Sequence, residues 1–208
     1  MSTVTELSAG KREQTKARNR EAILAAAKQV FAEKGYEAAT VRDIIRCTDL
    51  ASGTFYNYFK SKEEIAEALA IDASSKLRVI LTEQRRRTKD FPDYLNGIFG
   101  AYFHFLIEEY SIEGTDGRHV MRPPATQSVT PAQKAVFEEI RSAISQRLGK
   151  ELPVGSDVEL ITASITGIAR NVGLQMLYRK PQDPDGAARF AAGMILHGLS
   201  IVEGRGSQ

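Results

Sequence analysis

The chain holds 208 residues, 42% hydrophobic and 26% charged, enough to bury one large core or a core with a small companion. Its one cysteine, Cys47, excludes an intrachain disulfide and suits a reducing cytoplasm; three scattered histidines argue against structural zinc, and no apolar run nears the roughly 18 residues of a membrane span. The net charge of +2 is too small to mark a nucleic-acid binder, yet it is uneven: residues 1–60 carry ten Lys/Arg against seven Asp/Glu, and residues 61–208 carry 18 against 19.

The polar start, MSTVTELSAGKREQTKARNR, is not expected to be a secretory signal. Residues 11–20, KREQTKARNR, hold five basic residues and one acid, and residues 1–17 are expected to form a flexible basic arm. From Asn19 to Lys34, apolar Ile23, Ala27, Val30 and Phe31 share one helical face. Gly35 follows as a C-terminal stop, because glycine enters the left-handed region without a Cβ penalty. Thr40 and Asp43 have capping-box spacing and open a short helix that buries Val41, Ile44 and Ile45 and ends near Thr48. Asp49 tolerates a left-handed turn. A second short helix, about Ala51 to Phe59, completes a helix-turn-helix.

Ser61 and Glu64 open a long helix with Ile65, Leu69, Ala73, Leu77 and Leu81 on one stripe. It runs out at Arg85-Arg86-Arg87, where cations complement the helix dipole. Residues 91–110, with Pro92 in the first turn, hold seven of the chain's sixteen aromatics and should form a central, buried helix. Residues 111–131 read as a loop-rich break around Pro123-Pro124. Helices are then expected from Pro131 through Leu148, over 157–179 and over 186–203, the last two rich in small residues, before a disordered tail at 204–208. No stretch alternates with period two for long enough to be a strand, so the fold class is all-α: a helix-turn-helix domain over 18–63 and a larger helical domain over 64–203.

Enzymatic motifs are absent. There is no GxGxxG after a strand, no GxxxxGK[ST], no GxSxG and no HExxH. The pairs Glu63-Glu64, Glu108-Glu109 and Glu138-Glu139 are adjacent on helices and do not face one another, which suits solvated charge better than acid/base work. No cofactor or metal is expected.

The informative stretch is Thr48 to Lys62, TDLASGTFYNYFKSK. A helix that enters the major groove needs small residues at its start, and Ser52, Gly53 and Thr54 supply them. It needs polar groups able to reach bases or phosphates, and Thr54, Tyr56, Asn57 and Tyr58 qualify. It also needs an apolar back, here Phe55 and Phe59. Lys60 and Lys62 are placed to meet phosphates, which set register rather than sequence. A helix that was merely core would hardly begin Ser-Gly-Thr and carry tyrosines on a second face.

Residues 18–65 resemble the DNA-binding domain of the TetR (tetracycline repressor) family, in RNREAILAAAKQVFAEKGY, then TVRDII, then LASGTFYNYFKSKEEI. The resemblance implies a dimeric all-α repressor whose second domain binds a small ligand. By position, Thr40, Ser52, Gly53, Thr54, Tyr56, Asn57, Tyr58 and Lys62 match family positions that meet DNA, and Arg42 and Lys60 complete the expected interface. Thr48-Asp49 stands where the family often has Ala-Gly, Ala51 where it often has a Ser or Thr cap, and Asn57 where histidine is common. Asp49 or Ser52 is then expected to cap in place of Ala51. Beyond about residue 70 the resemblance is one of architecture.

The function expected is a cytoplasmic, ligand-responsive transcriptional regulator, a repressor released from a palindromic double-stranded operator by a small effector. The effector cavity is expected against the aromatic helix, lined by Phe99, Tyr102, Phe103, Leu106, Phe137, Ile140, Arg170, Asn171 and Leu174. His104 is a further polar candidate, with Arg118, His119 and Arg122 at the mouth. Arg170 on an apolar helix calls for an anionic partner, Glu108, Glu159 or a ligand acid, which favours an amphipathic, acyl-chain or aromatic-acid effector. A homodimer through the last two helices is expected, with Ile161, Ile165, Ile168, Met194, Ile195 and Leu199 as its apolar area. The alternative is an all-α small-molecule-binding enzyme or carrier without operator binding; an enzyme needs a convergent acid, base or metal set, and none is visible.

Overall fold

A computed structural model describes residues 3–114, 117–121, 129–148, 150, 152 and 155–205. Eight α-helices occur among them: α1 (Thr3–Lys34), α2 (Val41–Arg46), α3 (Ser52–Tyr56), α4 (Lys62–Arg87), α5 (Phe91–Tyr110), α6 (Pro131–Ala143), α7 (Val158–Tyr178) and α8 (Pro184–Arg205). The fold is all-α, with one small hairpin of β1 (Ser111–Gly114) and β2 (Gly117–Val120). That hairpin lies in the stretch expected to be loop. Two four-residue strands are too short for period-two alternation to register in the sequence.

The chain divides into two compact units, Met1–Ala70 with Ile112–Gln127, and Ile71–Ser111 with Ser128–Gln208. In the first, α1 buries Ile23, Ala27, Val30 and Phe31 as its periodicity requires. It ends at Gly35, whose φ of 78° lets its amide return to the Phe31 carbonyl at 3.1 Å. The Thr40–Asp43 capping box forms in both directions. Lys34 pairs with Asp43, and that contact, with the Thr40 hydroxyl and amide, holds the Asp43 carboxyl well below the usual range. The turn into α3 is closed by Thr48, whose hydroxyl donates to the Ile45 carbonyl at 2.8 Å and accepts from the Leu50 amide. Asp49 is not left-handed: no described residue but glycine has positive φ. Nor does any side chain cap α3 at Ala51, so Asp49 and Ser52 do not take that role.

Helix α1 begins at Thr3, so the segment expected as a flexible arm is helical over its described part. Its exposed turns have no apolar face, and a pattern search therefore passes over them. The first two turns of α4 bury Ile65, Ala66 and Leu69 and belong to the first unit, which moves the division from residue 63 to Ala70.

In the second unit α5 is central, with Phe91, Tyr94, Leu95, Ile98, Phe99, Phe103, Phe105, Leu106 and Tyr110 buried. Asp90 caps it through the Asp93 amide at 2.8 Å. Helix α7 packs closely against it at Gly173, where a Cβ would stand 2.5 Å from Leu106 Cδ1 and 3.1 Å from Phe103 Cε1. Thr130 and Gln133 cap α6 reciprocally. That helix ends at Ala143 and passes into a π-helical turn, Ile144–Leu148, where one continuous helix was expected. Helix α8 runs to Arg205, so the expected tail at 204–208 is helical at its start, and its last three residues lie outside the described ones. Among the described residues no helix is long and apolar enough to cross a membrane.

Candidate nucleic-acid interface and ligand cavity

Helix α3 is only five residues long and cannot stand alone. Phe55, fully buried, anchors it, and Phe59 (6% exposed) extends the anchor. The opposite side is open: Ser52, Gly53, Tyr56, Asn57 and Lys60 are exposed, as are Thr40 and Arg42, while Thr54 and Tyr58 are half-buried. Gly53 is instructive. Nothing lies within 4 Å of the Cβ it lacks, so no internal contact requires glycine there. Glycine within a helix costs roughly 0.5–1 kcal/mol relative to alanine, and what it leaves is bare backbone facing outward.

Lys62 departs from the expected phosphate contact. Its ammonium donates to the carbonyls of Tyr36, Glu37 and Ala39 at 3.0, 3.1 and 3.3 Å and sits 4.7 Å from the Tyr36 ring centroid. All three N–H donors are engaged by the α1–α2 connection, so this side chain clamps the domain together. Lys62→Met, which keeps the stem and removes the donors, is expected to destabilise the protein by about 1.5–3 kcal/mol. Urea unfolding measures that, and an unchanged midpoint would show that the clamp carries no weight. Tyr58 is also held, its hydroxyl accepting from Asn19 Nδ2 at 3.2 Å.

In the second unit a cavity of about 140 Å3 is lined by Leu77, Leu81, Ile98, Phe99, Tyr102, Val136, Ile140, Ile165, Thr166 and Ala169. Of the residues expected there, Phe99, Tyr102 and Ile140 line it. Phe103 and Leu106 pack at Gly173 instead, and Phe137 and Leu174 are half-buried outside the lining. Arg170 and Asn171 are exposed, Asn171 donating to the Gly167 carbonyl. Arg170 therefore needs no buried anionic partner: α7 turns it to solvent, one residue past the cavity-lining Ala169. His104 is likewise exposed and meets Asp185 of α8 at 3.0 Å. The side chains of Arg118, His119 and Arg122 lie outside the described residues.

Sequence reasoning missed Leu77, Leu81, Val136, Ile165, Thr166 and Ala169. Two of these, Leu77 and Leu81, were legible as an apolar stripe, but nothing local said that the stripe borders a void. The lining has no charged side chain. Burial pushes the Tyr102 phenol up to about 12, the nearby Arg170 guanidinium opposing that shift, so its hydroxyl is a neutral donor at ordinary pH.

Residues 23–69 match the family described as bacterial regulatory proteins, tetR family. YdgC of Bacillus subtilis (strain 168), an uncharacterized HTH-type transcriptional regulator, is 26% identical over 188 residues, 87% of this chain and 92% of its own. AcnR of Corynebacterium glutamicum, an HTH-type transcriptional repressor, is 35% identical over 65 residues, 31% of this chain and 35% of its own. The crystal structure of the transcriptional regulator FadR from Bacillus subtilis in complex with stearoyl-CoA superposes with a TM-score of 0.68 at 20% identity, covering 86% of this chain and 98% of that one. At that identity the likeness is one of fold. The sequence of the first unit, its helix-turn-helix and the all-α architecture agree with these matches: residues 23–69 match the tetR family of bacterial regulatory proteins.

Proposed function

We propose that the protein is a ligand-responsive transcriptional regulator, a cytoplasmic repressor that binds a palindromic double-stranded operator and leaves it when an effector fills the cavity. The observation that carries this is the outward side of α3. It combines a glycine without internal purpose with exposed Ser52, Tyr56 and Asn57 over a sealed Phe55 anchor. Thr40, Arg42, Thr54, Tyr58 and Lys60 complete the DNA face, while Lys62 supports it from behind. The cavity lining offers two hydroxyls, those of Tyr102 and Thr166, among apolar side chains.

Operator recognition by two heads requires a dimer. Leu160, Phe190 and Met194 on α7 and α8 are 67%, 60% and 51% exposed, more apolar area than solvated helices ordinarily show. These residues are the core of the proposed interface. Ile161, Ile165 and Ile195, expected there from the sequence, are instead buried within the protomer.

The cavity suits an apolar body with an acceptor for the Tyr102 hydroxyl. A dry cavity near 150 Å3 admits a benzene-sized ring, so the present one takes a ring or a short acyl segment. The stearoyl-CoA in FadR supports an acyl ligand for this fold, although a full chain of that length exceeds this volume. An acidic end directed toward Arg170 would make the effector amphipathic.

DNA fragments selected by the purified protein test the reading. Enrichment of an inverted repeat is expected, and no enrichment over bulk DNA would sink it. Asn57→Ala is expected to relax preference at one position in each half-site by about 1–3 kcal/mol while leaving the salt dependence unchanged. Repeating the selection with the variant measures this.

A further inference from the structure

The exposed turns of α1 raise a question that packing does not answer. Lys11, Arg12, Thr15 and Lys16 fall at i, i+1, i+4 and i+5, one face of the helix, and all are exposed. With Asn57 and Tyr58 they line an open groove of about 510 Å3. Asn19, one turn further along the same stripe, donates to the Tyr58 hydroxyl at 3.2 Å. That bond ties the cationic stripe to the end of the recognition segment within one compact unit. The Thr15 hydroxyl turns back onto the Lys11 carbonyl at 2.9 Å, so the cations are the groove's outward chemistry. Glu13, the one acid in residues 11–20, is not among the lining residues.

On the reading of the head as a DNA-binding domain, we propose that this groove seats the phosphate backbone flanking each half-site, making the N-terminal turns of α1 a second DNA-contacting element beside α3. From Lys11 to Lys16 a helix rises about 7.5 Å. One duplex strand presents a phosphate for about every 3.4 Å of axis, so the stripe spans about two phosphates. Its chemistry, exposed cations at fixed spacing along one helix face, suits backbone contact, which sets register and affinity without adding sequence preference. Asn57 and Tyr58 at the same groove place the flanking strand beside the bases that α3 faces.

The test is the salt dependence of binding to the selected operator, using the full chain and a Lys11→Ala/Arg12→Ala/Lys16→Ala variant. Alanine preserves helix propensity, and circular dichroism checks that the helix remains. With about two phosphates per head and two heads, the slope of log affinity against log salt is expected to fall by about 3.6. Lys16→Gln alone should lower it by about 2, one phosphate per head. The wild type should lose affinity when the duplex is trimmed to its two half-sites, and the triple variant should not. The selected sequence should be the same for both proteins. Slopes agreeing within about half a unit, with equal responses to trimming, overturn the groove assignment while the operator reading stands. Failure of the wild type to select any DNA overturns both.

Discussion

Phe55→Ala is expected to cost about 3–5 kcal/mol and to abolish operator binding at physiological temperature. The ring is fully buried and is the one wholly sealed side chain of α3. A five-residue helix has too few internal hydrogen bonds to persist without that anchor. Since domains are stable by only about 5–15 kcal/mol, a loss of this size removes much of the margin. Tyr56→Ala is the contrast. Its neighbouring ring is 50% exposed, so stability should change by no more than about 0.5 kcal/mol while DNA affinity falls. Urea unfolding and DNA titration of both variants separate the two effects. Retention of wild-type stability by Phe55→Ala would contradict the packing described for the head.

Ala169→Phe is expected to erase the effector response while leaving the DNA face intact. The cavity of about 140 Å3 is close to the volume that a benzene ring occupies in an apolar pocket. A phenyl group from Ala169 therefore replaces the ligand with a tethered equivalent, at about 1–3 kcal/mol of strain. Ile140→Ala acts in the opposite sense, enlarging the void at about 2–5 kcal/mol of stability and admitting bulkier ligands. A thermal-shift panel of fatty acids, acyl-thioesters, aromatic acids and lipophilic cations reads both. Full ligand-induced stabilisation of Ala169→Phe would place the effector elsewhere.

Local sequence dictates structure where a single turn of helix holds the whole interaction. The boxes Thr40/Asp43 and Thr130/Gln133, the Asp90 cap before Pro92 and the Gly35 stop involve partners within four residues, so their spacing is their structure. Ser61 shows where that logic frays. Its hydroxyl accepts from the Glu64 amide as the spacing implies, but the Glu64 carboxylate returns to the Lys60 amide rather than to Ser61. The apolar stripes of α1, α4 and α5 were legible for the same reason, since burial follows helical period.

The rest was decided at long range. Lys62 looks like a phosphate ligand until its three carbonyl partners, 23 to 26 residues earlier, are brought beneath it. Lys11, Arg12 and Lys16 read as a solvated tail until the Asn19–Tyr58 bond, 39 residues apart in sequence, sets their stripe beside Asn57. Arg170 seems to demand a buried counter-ion until the rotation of α7 about its axis points it to solvent and Ala169 to the void. The sequence by itself determined that the chain is helical from Asn19 onward outside its turns, how the capped helices begin, and which face of each is apolar; these depend on periodicity and on contacts within a turn. Tertiary structure alone decided which cations face outward and which act as clamps, and which apolar residues border a void rather than fill the core. Those outcomes depend on the azimuth of each helix against its neighbours, and that angle is set by side-chain volumes far apart in the chain.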